Sequence, residues 1–303
     1  MTDLLSDLKT KYRNGGIVIQ LIFINVGVFI ITSLIQLVLY LFNLNTGFVP
    51  YITSLPAELS QLGQRPWSLI TYMFMHSGIF HLFFNMLILY WFGQFFLNFF
   101  SAKHLRGLYI FGGLVGGAFF IAAFHVFPIF KSSLAHANLI GASAAVLAIM
   151  IAIAYKAPNQ SVRLLLVGSI KLKYLALIII GIDLLTITSD NPGGHIAHLG
   201  GAFGGYLFAA GLSKGWDLTR WINMILDIPL NLYTGYKKQV ERRKQKLKVV
   251  KNKNYSKRAT DYDYNATRKA SSEEIDLILD KIKESGYANL TEEEKKKLFD
   301  AGK

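Results

Sequence analysis

Two residues whose types suit nucleophilic catalysis stand inside runs apolar enough to cross a membrane. Ser143 lies in Gly141-Ala142-Ser143-Ala144-Ala145, at the head of the run Leu139 to Tyr155, and His198 lies in Ala197-His198-Leu199-Gly200-Gly201, at the head of the run Ile196 to Leu212. A serine hydroxyl becomes a nucleophile when a base takes its proton, and a neutral imidazole is the usual base near neutral pH. A polar group facing hydrocarbon is costly unless partnered, so polar residues inside a span are functional candidates by default. Taken singly, the serine also suits plain helix packing, where small residues are common. His81 and Asn85 form a second pair. Four residues apart, they share one helix face. Two donors aimed at one spot suit a developing oxyanion, each worth ~3 kcal/mol of barrier in a water-poor site. The competing reading is a polar pair that only bonds neighbouring helices.

The elements that must position these groups follow from composition. Hydrophobic residues make up 52% of 303 positions, and charged residues only 17%. Mean hydropathy is +0.35. This composition describes an all-α, polytopic membrane protein with polar ends. The formal net charge of +13 fits cytoplasmic flanks better than nucleic acid, so no nucleic-acid partner is expected. The absence of cysteine rules out disulfides, thiolate zinc sites and a cysteine nucleophile. Six runs approach the roughly 20 apolar residues that a helical span needs: 17–43, 79–99, 106–127, 139–155, 172–189 and 195–213. The first is too long for a signal-peptide core and reads as a retained span.

Charge orients the runs. Lys9, Lys11 and Arg13 precede the first. Lys103 and Arg106 follow the second, Lys156, Arg163, Lys171 and Lys173 follow the fourth, and Lys214 and Arg220 follow the sixth. The other side carries only Arg65 and Lys131 as basic residues, with Asp190 alone between the fifth and sixth runs. Both termini are therefore expected in the cytoplasm. The second, fourth and sixth runs then begin on the outer side, which places His81, Asn85, Ser143 and His198 within about one or two turns of the outer face. Gly200, Gly201, Gly204 and Gly205 would let the sixth helix approach the fourth closely; Gly112, Gly113, Gly116 and Gly117 read as packing.

With these residues in view, the chain resembles the rhomboid intramembrane serine proteases over 17–213. The resemblance rests on His76-x4-His81-x3-Asn85, Gly141-x-Ser143 and Ala197-His198-x2-Gly201, with Trp67 nine residues before His76. It implies a six-helix bundle and a dyad of Ser143 as nucleophile and His198 as base. It also implies an oxyanion site of His81, Asn85 and the Ser143 N–H, a structural His76, and a membrane-embedded loop over 44–78 containing Pro50, Pro56 and Trp67. Three positions depart from the pattern. Ala144 stands where many members have glycine, Ser68 where many have arginine, and Leu147 where some place an aromatic residue on the histidine. Base positioning then rests on packing. His195, three residues before His198, is read as lining the mouth or touching water, and His104, His125 and His136 as solvated.

The reaction so implied is hydrolysis of a peptide bond in or near a transmembrane helix of another protein, at a segment loosened by Gly, Pro or polar residues. No cofactor or metal is required. The expected setting is a bacterial inner membrane, with a eukaryotic organelle as the alternative. The alternative function is a catalytically silent rhomboid-like binding or quality-control factor. A transporter would show repeats that are not evident, and a metalloprotease would want His-Glu-x-x-His.

The ends divide the chain further. Residues 1–16 form a cytoplasmic segment, 214–270 an interfacial and basic linker, and 271–303 a helical hairpin. Trp216, Trp221, Ile222, Met224, Ile225, Leu226, Ile228 and Leu230 give an amphipathic stretch interrupted by Pro229. The basic run 237–258 suits anionic lipid, with a solvated linker as the alternative. Ser272 is expected to cap one helix and Gly286 to close it. Thr291 and Glu294 match a capping box for the next. Ile275, Leu279 and Ile282 are expected to pack on Leu290 and Leu298.

Overall fold

Long apolar runs without internal breakers become helices because hydrocarbon offers backbone groups no partner but each other. The computed structural model describes residues 2–164, 168–188 and 191–301, without the side chains of 2–5, 164, 229–260 and 270. Asp190 and the side chains of Leu230 and of the basic run 237–258 lie outside the described residues. In chain order the helices are α1 (Thr2–Asn14), α2 (Gly16–Leu41), α3 (Phe48–Thr53), α4 (Leu59–Gln64), α5 (Ser68–Thr71), α6 (Ile79–Phe96), α7 (Ala102–Val126), α8 (Ser143–Lys156), α9 (Leu172–Leu185), α10 (Pro192–Ser213), α11 (Arg220–Ser285) and α12 (Glu292–Ala301). The strands are β1 (Leu55–Pro56), which pairs antiparallel with β2 (Asn138–Leu139), and β3 (Ser161–Leu164), which pairs antiparallel with β4 (Gly168–Lys171). The protein is a helical membrane protein; these two short ladders are the departures from the all-α expectation.

The six expected runs all contain a helix, but among the described residues only α2, α6 and α7 are both long and apolar enough to cross a bilayer by themselves. The expected fourth span shortens to 14 residues, about 21 Å at ~1.5 Å per residue. Its first residues are taken by β2 and by a turn at Gly141, whose φ of +127° suits glycine. Shortness is tolerable because every residue of α8 from Ala144 to Ala154 is buried and packs against α6, α7, α9 and α10 rather than lipid. By contrast, Ile31, Leu34, Leu37 and Leu41 of α2 are exposed, as a lipid-facing helix requires.

Glycines set the helix spacing. A Cβ on Gly201 or Gly205 of α10 would fall 2.2 Å from the carbonyl oxygen of Ala144 or Ala148 of α8. On α7, Gly112 and Gly116 meet the Cβ atoms of Ala148 and Ala144, while Gly113 and Gly117 meet Met73 and Leu55. The four glycines of α7 therefore face two ways, toward α8 and toward the segment before α6. Ala144, a departure from the family pattern, still fits this contact.

The segment 44–78 is built from α3, α4, α5, β1 and a 3-10 turn at Tyr72–Phe74. Its irregular backbone is tied down by buried bonds. Tyr72 Oη donates to the Gly113 carbonyl at 2.6 Å, and Tyr109 Oη donates to the Met73 carbonyl at 3.0 Å while accepting from Asn25 Nδ2 at 3.1 Å. Trp67 Nε1 donates to the Ile52 carbonyl at 2.8 Å. Ser68 leaves no arginine after Trp67. Arg65 braces the segment from within, its guanidinium 4.0 Å from the Tyr51 ring centre and donating to Gln61 Oε1 at 2.6 Å.

Past α10, the apolar side chains of Trp216, Trp221, Met224 and Ile225 are exposed, while Thr219, Ile222 and Asn223 are buried. The start of α11 docks on the start of α7: Arg106 reaches Asn223 and Asp227, the latter at 2.7 Å. Arg106, with Lys103 at 3.0 Å, holds the Asp227 carboxyl below its usual range. The backbone helix of α11 runs through position 229, so no interruption appears there; a proline removes one backbone bond and can bend a helix without ending it. The side chain of Pro229 is outside the described residues. The helix also runs through Ser272, which is therefore not a cap.

The chain divides into two units, 1–227 and 228–303. In the second, Gly286 adopts φ +81° after α11. Thr291 and Glu294 form the expected reciprocal cap, with the Thr291 N–H donating to Glu294 Oε2 at 2.8 Å and the Glu294 N–H to Thr291 Oγ1 at 3.3 Å. Ile278, not Leu279, joins Leu290 in the buried face, because Ile275, Ile278 and Ile282 follow the i, i+3, i+7 stripe.

Tyr109→Phe should lower stability by about 1–3 kcal/mol, since it strands the buried Met73 carbonyl and Asn25; unfolding in detergent micelles measures this. Glu294 is held down at about 2, against 4.5 ordinarily, by Lys281 and the Thr291 amide. Its contribution to hairpin stability is therefore full above pH 4.5 and disappears as pH falls toward about 2. An NMR titration of this carboxyl should show that low midpoint, and Lys281→Ala should raise it.

Candidate active site

Ser143 is the first residue of α8, placed there by the Gly141 turn. The Gly141 N–H donates to the Tyr72 carbonyl at 2.9 Å, so the segment before α6 holds the start of α8 in place. No side chain caps this helix end. The N–H groups of its first turn therefore point free of intrahelical partners, toward a locally positive helix end.

His198 lies in the second turn of α10, a helix opened by Asn191, whose Oδ1 accepts from the Gly194 N–H at 3.1 Å. The Gly201–Ala144 contact brings α10 onto α8, and the Ser143 hydroxyl and His198 Nε2 meet at 2.7 Å. The expected serine–histidine pair is formed.

The other face of the imidazole holds a group that the sequence reading passed over. His198 Nδ1 lies 2.9 Å from Asp183 Oδ1 on α9, and His195 Nδ1 lies 2.8 Å from the same oxygen. Asp183 is 4% exposed. A carboxylate accepts, so both Nδ1 atoms carry the proton and His198 Nε2 presents its lone pair to Ser143. This corrects two expectations. His195, expected only to line the mouth or touch water, has its side chain 21% exposed, and its Nδ1 turns toward Asp183 and Thr186, whose Oγ1 is 3.2 Å away. The base is not positioned by packing alone. One signal was available in the sequence: a single carboxylate inside the apolar run 172–189, a position where burial without purpose is expensive.

His81 and Asn85 project from α6 into the same cavity, of about 260 Å³, with Tyr72, Gly141, Ser143 and His198 among its walls. The Ser77 hydroxyl and N–H both contact His81 Nδ1, at 3.0 and 3.4 Å. A backbone N–H can only donate, so Nδ1 accepts and Nε2 carries a proton. A Cβ on Gly141 would lie 3.1 Å from His81 Nε2 and 3.5 Å from Ser143 Oγ; the absent side chain is the space between them. Asn85 donates one amide hydrogen to the His81 carbonyl at 2.8 Å and keeps a second. His76 is buried with its ring edge-on to His81, centroids 5.1 Å apart, which suits a structural place beside the site. Trp67 stays with the segment 44–78 and is not in the cavity wall.

A second cavity, about 280 Å³, adjoins the first. It shares Asn85, Ser143 and His198 and is otherwise apolar, walled by Trp91, Phe92, Leu147, Met150, Leu175 and Ile179 from α6, α8 and α9. A roomier hollow of about 460 Å³ lies by Phe99, His104, Lys156 and Leu212, without a serine–imidazole bond; volume alone does not locate the site. His104 there is half-buried against the Phe208 ring, 5.7 Å between centroids, and not solvated as expected, whereas His125 and His136 are exposed. Asp183, His195 and His198 offer donor atoms within 4.8 Å of one another. A cation using both Nδ1 atoms would have to displace the two protons now shared with the carboxylate.

Gly141→Ala should cost about 1–3 kcal/mol in backbone strain alone and push His81 aside; thermal unfolding reads the first effect.

A family model described as the rhomboid domain matches residues 63–215, and a family of unknown function (DUF6576) matches 259–301. RHOMBOID-like protein 12, mitochondrial, of Arabidopsis thaliana is 32% identical over 161 residues, covering 50% of this chain and 48% of the relative. This chain therefore spans about half the length of the curated relative it matches. By a match over half its length, the chain belongs to the rhomboid family.

Proposed function

We propose that the protein is an intramembrane serine protease. The observation that carries the reading is the 2.7 Å contact between Ser143 Oγ and His198 Nε2 at the wall of a cavity lined by further donors. Ser143 attacks the scissile carbonyl, and His198 takes its proton and returns it to the leaving amine. The oxyanion is met by His81 Nε2–H, the second Asn85 amide hydrogen and the N–H groups at the start of α8, all fixed before reaction.

The substrate is a transmembrane segment of another protein. The apolar cavity between α6 and α9 suits an apolar side chain arriving from lipid. An intact helix hides its carbonyls in hydrogen bonds, so cleavage selects segments that unwind through Gly, Pro or polar residues. Gly112 and Gly116 of α7 sit opposite Ala148 and Ala144 of α8, so these helices are antiparallel. Ser143 therefore lies toward the end of the bundle opposite Lys103 and Arg106. With basic flanks inside, the site opens outward and both termini are cytoplasmic, in a bacterial inner membrane. The basic run 237–258 meets anionic lipid there.

Purified protein should cleave a helix-destabilised membrane substrate and be labelled by a fluorophosphonate; Ser143→Ala should lose both, and His198→Ala should keep only a weak residual rate of each. His81→Ala and Asn85→Ala should each lower kcat by about 10²- to 10³-fold. A wild type that neither cleaves nor labels, yet binds membrane proteins, would replace this reading with the silent binding factor.

A further inference from the structure

Asp183 and His195 have no part in a two-residue mechanism, yet they occupy the back of the site. The carboxylate is buried, reaches from α9 to α10, and accepts from His198 and His195 through one oxygen, at 2.9 and 2.8 Å. Its second oxygen has no partner and is enclosed. Two donors on one oxygen, with the other left bare, is an expensive arrangement for helix pinning alone. Its consequence for His198 is specific. A bond at Nδ1 selects the tautomer whose Nε2 lone pair faces Ser143, and fixes the ring plane.

Charge points the same way. A carboxylate 2.9 Å from His198 Nδ1 stabilises the imidazolium that forms when the serine proton arrives. His195, three residues earlier on the same helix, donates to the same Asp183 oxygen and is itself held by the Thr186 hydroxyl. Resting on the protease reading above, we infer that Asp183 is a positioning residue that extends the pair to Ser143–His198–Asp183, with His195 as the clamp on its carboxylate.

The full-length protein, purified in micelles, tests this with Asp183→Asn, His198→Ala and the double variant. Asp183→Asn should lower kcat for a fluorogenic transmembrane substrate by about 10²- to 10⁴-fold with KM within a few-fold, and slow fluorophosphonate labelling of Ser143 in proportion. In the His198→Ala background the same change should cost nothing more, because the residues act as one unit. A helix-pinning role would instead lower activity equally in both backgrounds, and that result, or a kcat near wild type, overturns the inference. A readout that needs no turnover accompanies it. ¹⁵N NMR of the His198 ring should show Nδ1 protonated in the wild type and a shift toward the Nε2–H form in Asp183→Asn. An unchanged tautomer refutes the positioning role, whereas the expected tautomers in a wild type that cleaves nothing would refute the protease reading and leave the role of Asp183 standing.

Discussion

Two helix backbones lie so close at Gly201 and Gly205 that a methyl group on either glycine would collide with a carbonyl of α8. The bond between Ser143 and His198 depends on that contact. Lipid tails give apolar helices little reason to associate, so close van der Waals approach and a few polar bonds must supply the specificity. Here both come from the same face: the glycine stripe seats α10 on α8, and the approach carries an imidazole to a hydroxyl. Alanines 144 and 148 are the complementary surface. They are small enough to be covered, yet they keep the better helix propensity that α8 needs while being only 14 residues long.

The remaining polar groups obey one rule, that a donor or acceptor removed from water must find a partner. Irregular backbone in 44–78 is stitched to α7 through the Tyr72 and Tyr109 hydroxyls, and to the start of α8 through the Gly141 amide. The site is therefore held by three elements that are far apart in the chain. His81 is oriented by Ser77, and His198 by Asp183. Each ring has one nitrogen committed and the other turned to the cavity. Pre-set dipoles of this kind in a dry pocket need no rearrangement when charge develops.

How much of this could be read beforehand varies with the physical range of each interaction. Ser143, His198, His81 and Asn85 were legible because they are polar residues at fixed local spacings in apolar runs. The capping box at Thr291 was legible for the same reason, since it spans three residues. Span edges were less so: hydrophobicity alone extended the fourth run to Leu139, whereas a strand pairing with Leu55 and Pro56 claims that residue. Asp183 carried a signal, an acid in hydrocarbon, but its meaning required two histidines from another helix. Leu279 gave way to Ile278 because one residue of rotation changes which side chain faces inward.

By itself the amino-acid order determined that the six apolar runs contain helices, that they belong in a membrane, and which side chains could do chemistry, because these depend on composition and on neighbours within a few turns. Only the tertiary structure decided that His198 turns its Nε2 to Ser143, 55 positions away, and that Asp183 of one helix meets both histidines of the next. Those outcomes are set by distances between separate helices, and a linear pattern contains no information on such distances until the helices have packed.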